Sequence, residues 1–378
     1  MMKEKYSLVL EGGGAKGAYQ IGAYMALKEK GYEFDHIVGT SIGAINGAVI
    51  AQGDVEKGIY FWENSNLDAF DDDEDKDNSN KSIEDYIPKI KSNIKNIVSM
   101  AQGEGIIDSK PLWDIVNELV DEEKLRASGI RFGLVTYNLT DKKTEELFID
   151  QIPEGMARDF VVASAYHPVF KMEPIDGKYY IDGGVTNRIP YSMVEDQKNI
   201  IIVRTRPRDF RDLRFPKNAI VIEPEEVITK SMDFDADKAK RHIHLGYLDA
   251  LKVIDGLKGR DYYFAPIGEK KADKFLRKVF FGNMKEYEEE KGSALTSEVR
   301  YFYEVYTHRL AAELNLDRDF TMEDLLFALV ERELKCLKTD KLKIRSLSDA
   351  MEELKNANEK IGSLNMKLLV DGYERQKS

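Results

Sequence analysis

Residues 39–43 are the most informative part of the chain and read Gly39-Thr40-Ser41-Ile42-Gly43. It follows the short apolar run Ile37-Val38 and precedes a run of small and apolar residues from Ala44 to Ile50. A lone G-x-S-x-G occurs in ordinary turns, but a strand, a tight turn and a helix in this order form the setting of a nucleophile elbow. The spacing therefore predicts that Ser41 holds its hydroxyl out from the backbone at the start of a helix.

Two glycine-rich segments strengthen this interpretation. Upstream, the chain reads Glu11-Gly12-Gly13-Gly14-Ala15-Lys16-Gly17 directly after the strand-like run from Tyr6 to Leu10. Downstream, it reads Asp182-Gly183-Gly184 directly after Tyr179-Tyr180-Ile181. A glycine run at a strand end leaves backbone N–H groups unshielded, and such donors beside a helix start suit an oxyanion.

The glycine loop also fits another class of site. Gly12-x-Gly14-x-x-Gly17 satisfies the dinucleotide-binding fingerprint, which needs an acidic residue at the end of the second strand. Here Asp35 precedes the second strand instead of ending it. Nucleotide binding is therefore the weaker alternative, and a Walker-type loop is excluded because no Gly-Lys-Ser/Thr follows the glycines.

The three motifs, in this order, resemble those of the patatin-like phospholipase family. A fourth block, from Ala163 to Phe170, is similar to the family's A-S-x-A-x-P-x-F segment, with Tyr166 in place of the second alanine. Lys16 lies at a position where arginine is commoner in the family, and the positive charge is the same in both residues. The resemblance covers about residues 6–224, and it implies an α/β fold, a three-layer α/β/α sandwich.

The resemblance implies a lipid acyl hydrolase of the phospholipase A or lysophospholipase type, with a serine–aspartate dyad, no metal and no cofactor. Ser41 would be the nucleophile and Asp182 the base that takes its proton, a role that burial favours by raising a carboxyl pKa. The oxyanion hole would be formed by the amides of Gly12, Gly13 and Gly14. The supporting motif residues are Lys16, Gly17, Gly39, Gly43, Gly183 and Gly184.

Histidines leave one alternative open for the mechanism. A triad would need a histidine after Asp182, and His242 and His308 are the plausible choices. Two further functions also stay open, namely a thioesterase or small-ester hydrolase with the same dyad, and a catalytically idle lipid-binding scaffold.

Composition favours an enzyme of the cytoplasm. The chain has 378 residues with 42% hydrophobic and 33% charged residues, and no apolar run approaches the roughly 20 residues of a spanning helix. The N-terminal segment is too short for a signal-peptide core, and the one cysteine, Cys336, permits no internal disulfide. We expect Cys336 to be at least half-buried on a helix. The net charge of −12 argues against nucleic acid as a partner. The oligomeric state does not follow from the sequence.

Two segments carry most of the uneven charge. Residues 68–77 hold seven acidic residues against Lys76, which predicts a solvated loop, since the run lacks the glycine and terminal glutamate of a calcium loop. Residues Arg204 to Lys217 hold six basic and two acidic residues. This second segment is either a charged loop that pairs locally or a transient contact for the phosphate groups of a lipid surface.

The order of the motifs predicts how the chain is organised. Alternating strands and helices predict a mostly parallel, covered sheet in a catalytic domain of residues 1–230. Hairpins are predicted across residues 141–143 and at Asp176-Gly177. Helical periodicity then predicts a helical C-terminal region, residues 231–378, with a capping box at Thr321 to Asp324. This region has two aromatic clusters, Tyr262-Tyr263-Phe264 and Tyr301-Phe302-Tyr303. They either belong to the core, line an acyl-chain tunnel or form a lid.

Overall fold

The computed structural model of this protein describes residues 4–64, 108–208, 215–291, 299–361 and 364–377. The chain divides into two compact units, Met1–Ala250 and Leu251–Ser378. The division falls inside one helix, Ala236–Asp255. The acidic run at residues 68–77 lies outside the described residues. The boundary at residue 230 between a catalytic domain and a helical C-terminal region stays a prediction.

A seven-stranded mixed sheet forms the centre of the first unit. The strand Ile200–Val203 within this sheet is wholly apolar and fully buried, as expected of a strand covered on both faces. The strand order is β4-β3-β2-β1-β6-β7, and β5 pairs with β3 off this path. The strands are β1 (Lys5–Leu10), β2 (Glu33–Thr40), β3 (Arg131–Asn138), β4 (Lys143–Phe148), β5 (Tyr180–Asp182), β6 (Ile200–Val203) and β7 (Ala219–Ile222).

Helices flank this sheet and confirm the α/β fold class. Helix α2 is buried along its whole length, and its glycines and alanines let it lie close to the strands. The helix after β1 ends before Gly31, whose φ of 81° suits the residue that terminates a helix. The helices of this unit are α1 (Gly17–Glu29), α2 (Ile42–Ala51), α3 (Val55–Asn64), α4 (Lys110–Leu119), α5 (Glu122–Ala127), α6 (Ala157–Ala165) and most of α7 (Ala236–Asp255).

Both predicted hairpins are confirmed. Strands β3 and β4 pair antiparallel, with Asn138 opposite Lys143 across the turn. The second turn joins Ile175 and Lys178 in an antiparallel bridge, and its two central residues have φ of 47° and 73°. Such a turn sends the chain back towards β5, which ends at Asp182.

The strand register brings the predicted motifs to one edge of the sheet. Strands β1 and β2 are parallel, so the glycine loop and the elbow leave the sheet at the same end, with Leu10 opposite Gly39. Strand β3 pairs with β2 and with β5 at adjacent residues. Val135 lies opposite Thr40 of β2, and Thr136 lies opposite Asp182 of β5. The carboxyl end of β2 and the end of β5 are therefore held next to each other by one strand.

The second unit is mainly helical, as predicted, with a core rich in aromatic residues. Phe264 stacks on Phe327 with ring centroids 4.7 Å apart, and Tyr262 and Tyr263 are also buried. Its short strands, β8 (Tyr263–Phe264) and β9 (Ile344–Arg345), form a parallel pair that the sequence does not predict. Its helices are α8 (Glu269–Lys291), α9 (Thr307–Glu313), α10 (Met322–Cys336), α11 (Leu347–Ile361) and α12 (Leu364–Lys377), with a π-helical turn at Phe302–Tyr306.

Three sequence predictions can be checked in this unit. The capping box is confirmed, because Thr321 and Asp324 exchange side-chain to backbone hydrogen bonds at the start of α10. The first aromatic cluster is core, whereas in the second cluster Phe302 is buried and its neighbours Tyr301 and Tyr303 are exposed. The prediction for Cys336 is wrong, because it is exposed at the last residue of α10, beyond the helix's last buried residue, Leu334.

No helix in the described ranges combines the length and the apolar character needed to cross a bilayer.

Candidate active site

The elbow between β2 and α2 has the sharp geometry that its sequence predicts. Ser41 has φ 57° and ψ −126°, a backbone conformation that residues other than glycine rarely adopt. The two flanking glycines are required by close backbone approach. A Cβ on Gly39 would lie 2.1 Å from the carbonyl oxygen of Gly43, and a Cβ on Gly43 would lie 2.4 Å from that of Leu10.

The side chain of Ser41 is close enough to Asp182 to stabilise its carboxylate. Asp182 is only 5% exposed, the environment that favours the role of base inferred from the sequence. The N–H of Gly184 donates to its Oδ1 over 2.7 Å, and its own N–H donates to the carbonyl oxygen of Tyr166 over 2.8 Å. Gly184 thus holds the carboxylate of Asp182, and Tyr166 holds its backbone.

Burial raises the pKa of Asp182 to about 6, since a carboxylate loses its hydration in this position. The side chain of Ser41, the hydrogen bond from Gly184 and the positive charge of Arg188 oppose this shift without cancelling it. A carboxylate with a pKa near 6 is ionised at neutral pH and accepts a proton more readily than an exposed one.

The glycine loop lies against the elbow. A Cβ on Gly12 would lie 3.4 Å from the Cβ of Ser41. The amide of Gly12 is occupied, because it donates to the carbonyl oxygen of Arg188 over 3.0 Å. Among the described residues, the amides of Gly13 and Gly14 have no acceptor. Of the three predicted oxyanion donors, these two remain available to a substrate.

A buried carboxylate anchors the loop from behind. Glu11 is fully buried, and its side chain accepts from the N–H of Thr205 over 2.8 Å and pairs with Arg206 at 3.0 Å. The hydroxyl of Thr205 donates in turn to the carbonyl oxygen of Gly12 over 3.1 Å. Burial lowers the pKa of the neighbouring Lys16, and the charge of Glu11 opposes that shift.

The same cluster corrects the interpretation of the basic segment. Arg204 is 0% exposed and pairs with Glu223 at 2.7 Å, so it cannot reach a lipid surface. Arg206 pairs with Glu11, which favours the alternative of local pairing for this end of the segment. Lys217 is exposed. Contact with phosphate groups stays a prediction for the remainder, of which residues 209–214 lie outside the described part.

Ser164 is a contact of the elbow that the sequence does not assign. Its Oγ accepts a hydrogen bond from the N–H of Ser41 over 3.0 Å and donates to the carbonyl oxygen of Val135 over 2.6 Å. The motif block from Ala163 to Phe170 contains Ser164, but the motif does not indicate which residue the hydroxyl of Ser164 contacts. The departure at Tyr166 is accommodated, since this ring is fully buried and its hydroxyl accepts from the indole N–H of Trp113 over 3.1 Å.

Histidine and metal chemistry have no counterpart at this site in the described residues. No histidine of the first unit's described part hydrogen-bonds to Ser41 or Asp182; His242 contacts the carbonyl oxygen of Ile228 instead. Burial lowers the pKa of His167 to about 4, so its ring is neutral at pH 7. Within those same ranges, no group of three His, Cys, Asp or Glu side chains is placed to hold a metal ion.

Comparisons with known proteins give a family match over the region of the site. A family model described as patatin-like phospholipase matches residues 8–194. The chain is 28% identical over 212 residues to patatin-like phospholipase domain-containing protein 7 of Rattus norvegicus, which covers 55% of this chain and 14% of that protein. It is 58% identical over 45 residues to lysophospholipase nte1 of Aspergillus terreus, which covers 12% of this chain and 3% of that protein.

Among solved structures, that of VipD from Legionella pneumophila aligns with 98% of this chain and 91% of its own, at 15% sequence identity and a TM-score of 0.44. The chain matches only a small part of the length of its curated relatives, 14% and 3% of the two proteins above.

Proposed function

Residues 8–194 of this chain belong to the patatin-like phospholipase family, and we propose that the chain hydrolyses carboxylic esters of lipids through Ser41 and Asp182. The observation that carries the proposal is the juxtaposition of Ser41, held at a strained turn, with the buried carboxylate of Asp182, whose ionised form the Ser41 side chain stabilises. Such a pair has the elements of an activated nucleophile, namely a hydroxyl within reach of a base of suitable pKa.

The proposed reaction has two halves. The Ser41 oxygen attacks the ester carbonyl carbon, its proton moves to Asp182, and the oxyanion accepts hydrogen bonds from the amides of Gly13 and Gly14. Collapse breaks the bond to the leaving alcohol, which takes the proton from Asp182. A water molecule then attacks the acyl-serine with Asp182 again as base, and release of the fatty acid restores the Ser41 hydroxyl. Each oxyanion donor contributes about 10²–10³ in rate.

Labelling by a fluorophosphonate probe tests this proposal most directly. The probe reacts with an activated serine, so we expect it to label the wild-type chain and not the Ser41→Ala variant. Absence of labelling in the wild-type chain would favour the idle lipid-binding scaffold. The substrate class needs a second comparison, of a lysophospholipid with an acyl thioester and a short soluble ester, because the same dyad would also serve a thioesterase or a small-ester hydrolase.

We predict an acid limb near pH 6 in the pH dependence of kcat/KM for a soluble ester. Asp182 must be ionised to take the proton of Ser41, so activity should rise with pH through its pKa of about 6 and then level off. The Arg188→Gln variant should shift this limb to higher pH, because Arg188 stabilises the ionised form.

Arg131→Gln is the matched control for this shift, since it removes a charge that pairs with the exposed Asp150 at the far end of β3. An acid limb near pH 4 in the wild-type chain would contradict the prediction, because it would show that burial does not raise the pKa of Asp182. An equal shift in both arginine variants would show that net charge alone moves the limb.

We predict that chelation of divalent metal ions leaves ester hydrolysis unchanged. The proposed reaction draws its electrophilic assistance from backbone amides, and no step uses a metal ion. Hydrolysis of a soluble ester measured with and without EDTA checks this. A loss that added calcium restores would contradict it and direct attention to the acidic run at residues 68–77.

A further inference from the structure

Ser164 joins the elbow to the sheet through a single buried hydroxyl. It lies near the end of α6, is 0% exposed, and bridges the N–H of Ser41 to the carbonyl oxygen of Val135. We propose that Ser164 is a positioning residue that fixes the peptide plane of Ser41, so that the nucleophile stays aligned with its base. This inference rests on the function proposed above for Ser41.

The elbow needs such a partner because of where the N–H of Ser41 lies. It comes after the last residue of β2 and before the first residue of α2, so neither the sheet ladder nor the helix supplies an acceptor. The carbonyl oxygen of Ser41 is engaged within the helix, by the N–H groups of Ala44 and Ile45. Without Ser164, one end of a strained residue would be held and the other released.

The contact is also well placed to set the distance between nucleophile and base. The hydroxyl of Ser164 donates to Val135, and the next residue of the same strand, Thr136, lies opposite Asp182 in the sheet. The Oγ1 of Thr136 lies 3.0 Å from the carbonyl oxygen of Ala163 and 3.1 Å from that of Ile181. Adjacent residues of β3 thus hold the segment that carries Ser164 and the segment that carries Asp182.

A role in positioning makes a specific kinetic prediction. Ser164 contacts a backbone N–H and not the reacting atoms, so its loss should lower kcat and leave KM unchanged. A displacement of about 1 Å at a reacting group costs about 10²-fold in rate. We therefore expect Ser164→Ala to lower kcat for a soluble ester, and the rate of fluorophosphonate labelling, by about 10²-fold. The acid limb of the pH profile should stay in place, because Asp182 keeps its own contacts.

Two matched comparisons separate the hydroxyl from the effects of packing. Ser164→Thr and Ser164→Val have nearly the same shape and differ in whether a hydroxyl is present, so any cost of added bulk is common to both. We expect kcat to be at least about tenfold higher in the threonine variant. Ser128→Ala is the control for Ser164→Ala, because Ser128 likewise accepts from a backbone N–H, that of Ile130, and donates to a backbone carbonyl, that of Leu125.

A second measurement does not depend on activity. Amide hydrogen exchange in a peptide that contains Ser41 should be faster in Ser164→Ala and Ser164→Val than in the wild-type chain and Ser164→Thr. Equal kcat in the valine and threonine variants, or unchanged exchange at the elbow, would overturn the proposal. A wild-type chain that hydrolyses no ester but shows this exchange pattern would refute the proposed function and retain the role of Ser164 at the turn.

Discussion

Replacement of Ser41 by alanine is expected to lower ester hydrolysis by at least about 10³-fold, because no other group in the proposed reaction forms the acyl bond. The fold should survive the change. The backbone contacts of Ser41, to Ser164 and to the first turn of α2, do not involve its side chain. The measurement is kcat/KM for a soluble ester, together with circular dichroism to establish that the variant is folded.

Ser192→Ala is a suitable control for this variant. Ser192 is an exposed serine of the same unit whose hydroxyl lies 3.2 Å from Glu146, and its loss should leave hydrolysis unchanged. Turnover within about tenfold of the wild type in a folded Ser41→Ala variant, a barrier change of only about 1.4 kcal/mol, would remove Ser41 from the role of nucleophile.

Replacement of Asp182 by asparagine is expected to have the second largest effect, a loss of about 10²–10⁴-fold in kcat, because an amide cannot take up the proton of Ser41. The Oδ1 of the asparagine can still accept from the N–H of Gly184, so the turn should be preserved. His242→Asn should cost far less. An inactive histidine variant beside an active Asp182→Asn variant would replace the dyad by a triad.

The same Asp182→Asn variant should be more stable than the wild type at neutral pH. The pKa of Asp182 is raised from 3.8 to about 6 in the folded chain, so the unfolded chain ionises first as the pH rises. The wild type therefore loses about 3 kcal/mol of unfolding free energy between those two pH values, and the loss persists above them. The asparagine variant does not ionise, so its thermal midpoint should exceed that of the wild type by several degrees at pH 8 and by much less at pH 4.

The sequence predicts the parts of the site that depend on local structure. Each of the three motifs predicts the end of one strand. The glycine loop follows β1, the serine between two glycines follows β2, and the aspartate before two glycines ends β5. The close approaches at Gly39 and Gly43 are local as well, because a side chain at either position would collide with the turn or the neighbouring strand.

What the sequence does not predict depends on partners far away in the chain. Arg204 belongs to a segment that composition describes as a charged surface, yet it is buried and lies 3.6 Å from Glu11, because the two residues directly follow the neighbouring strands β6 and β1. The amide of Gly12 has an acceptor on a residue that follows the third motif, Arg188. The contact of Ser164 with Ser41 spans 123 positions, and it exists because β2 and β3 are neighbours in the sheet. Motif spacing contains no information on such pairings.

The strained backbone of Ser41 has a consequence for how this site would decay. A residue with φ 57° and ψ −126° costs about 1–3 kcal/mol unless it is glycine. In a lineage released from selection for hydrolysis, stability alone would filter new substitutions. Glycine at position 41 and asparagine at position 182 would then both be favoured, and the chain would become more robust as it lost its chemistry. This chain has the costlier residue at both positions, serine at 41 and aspartate at 182.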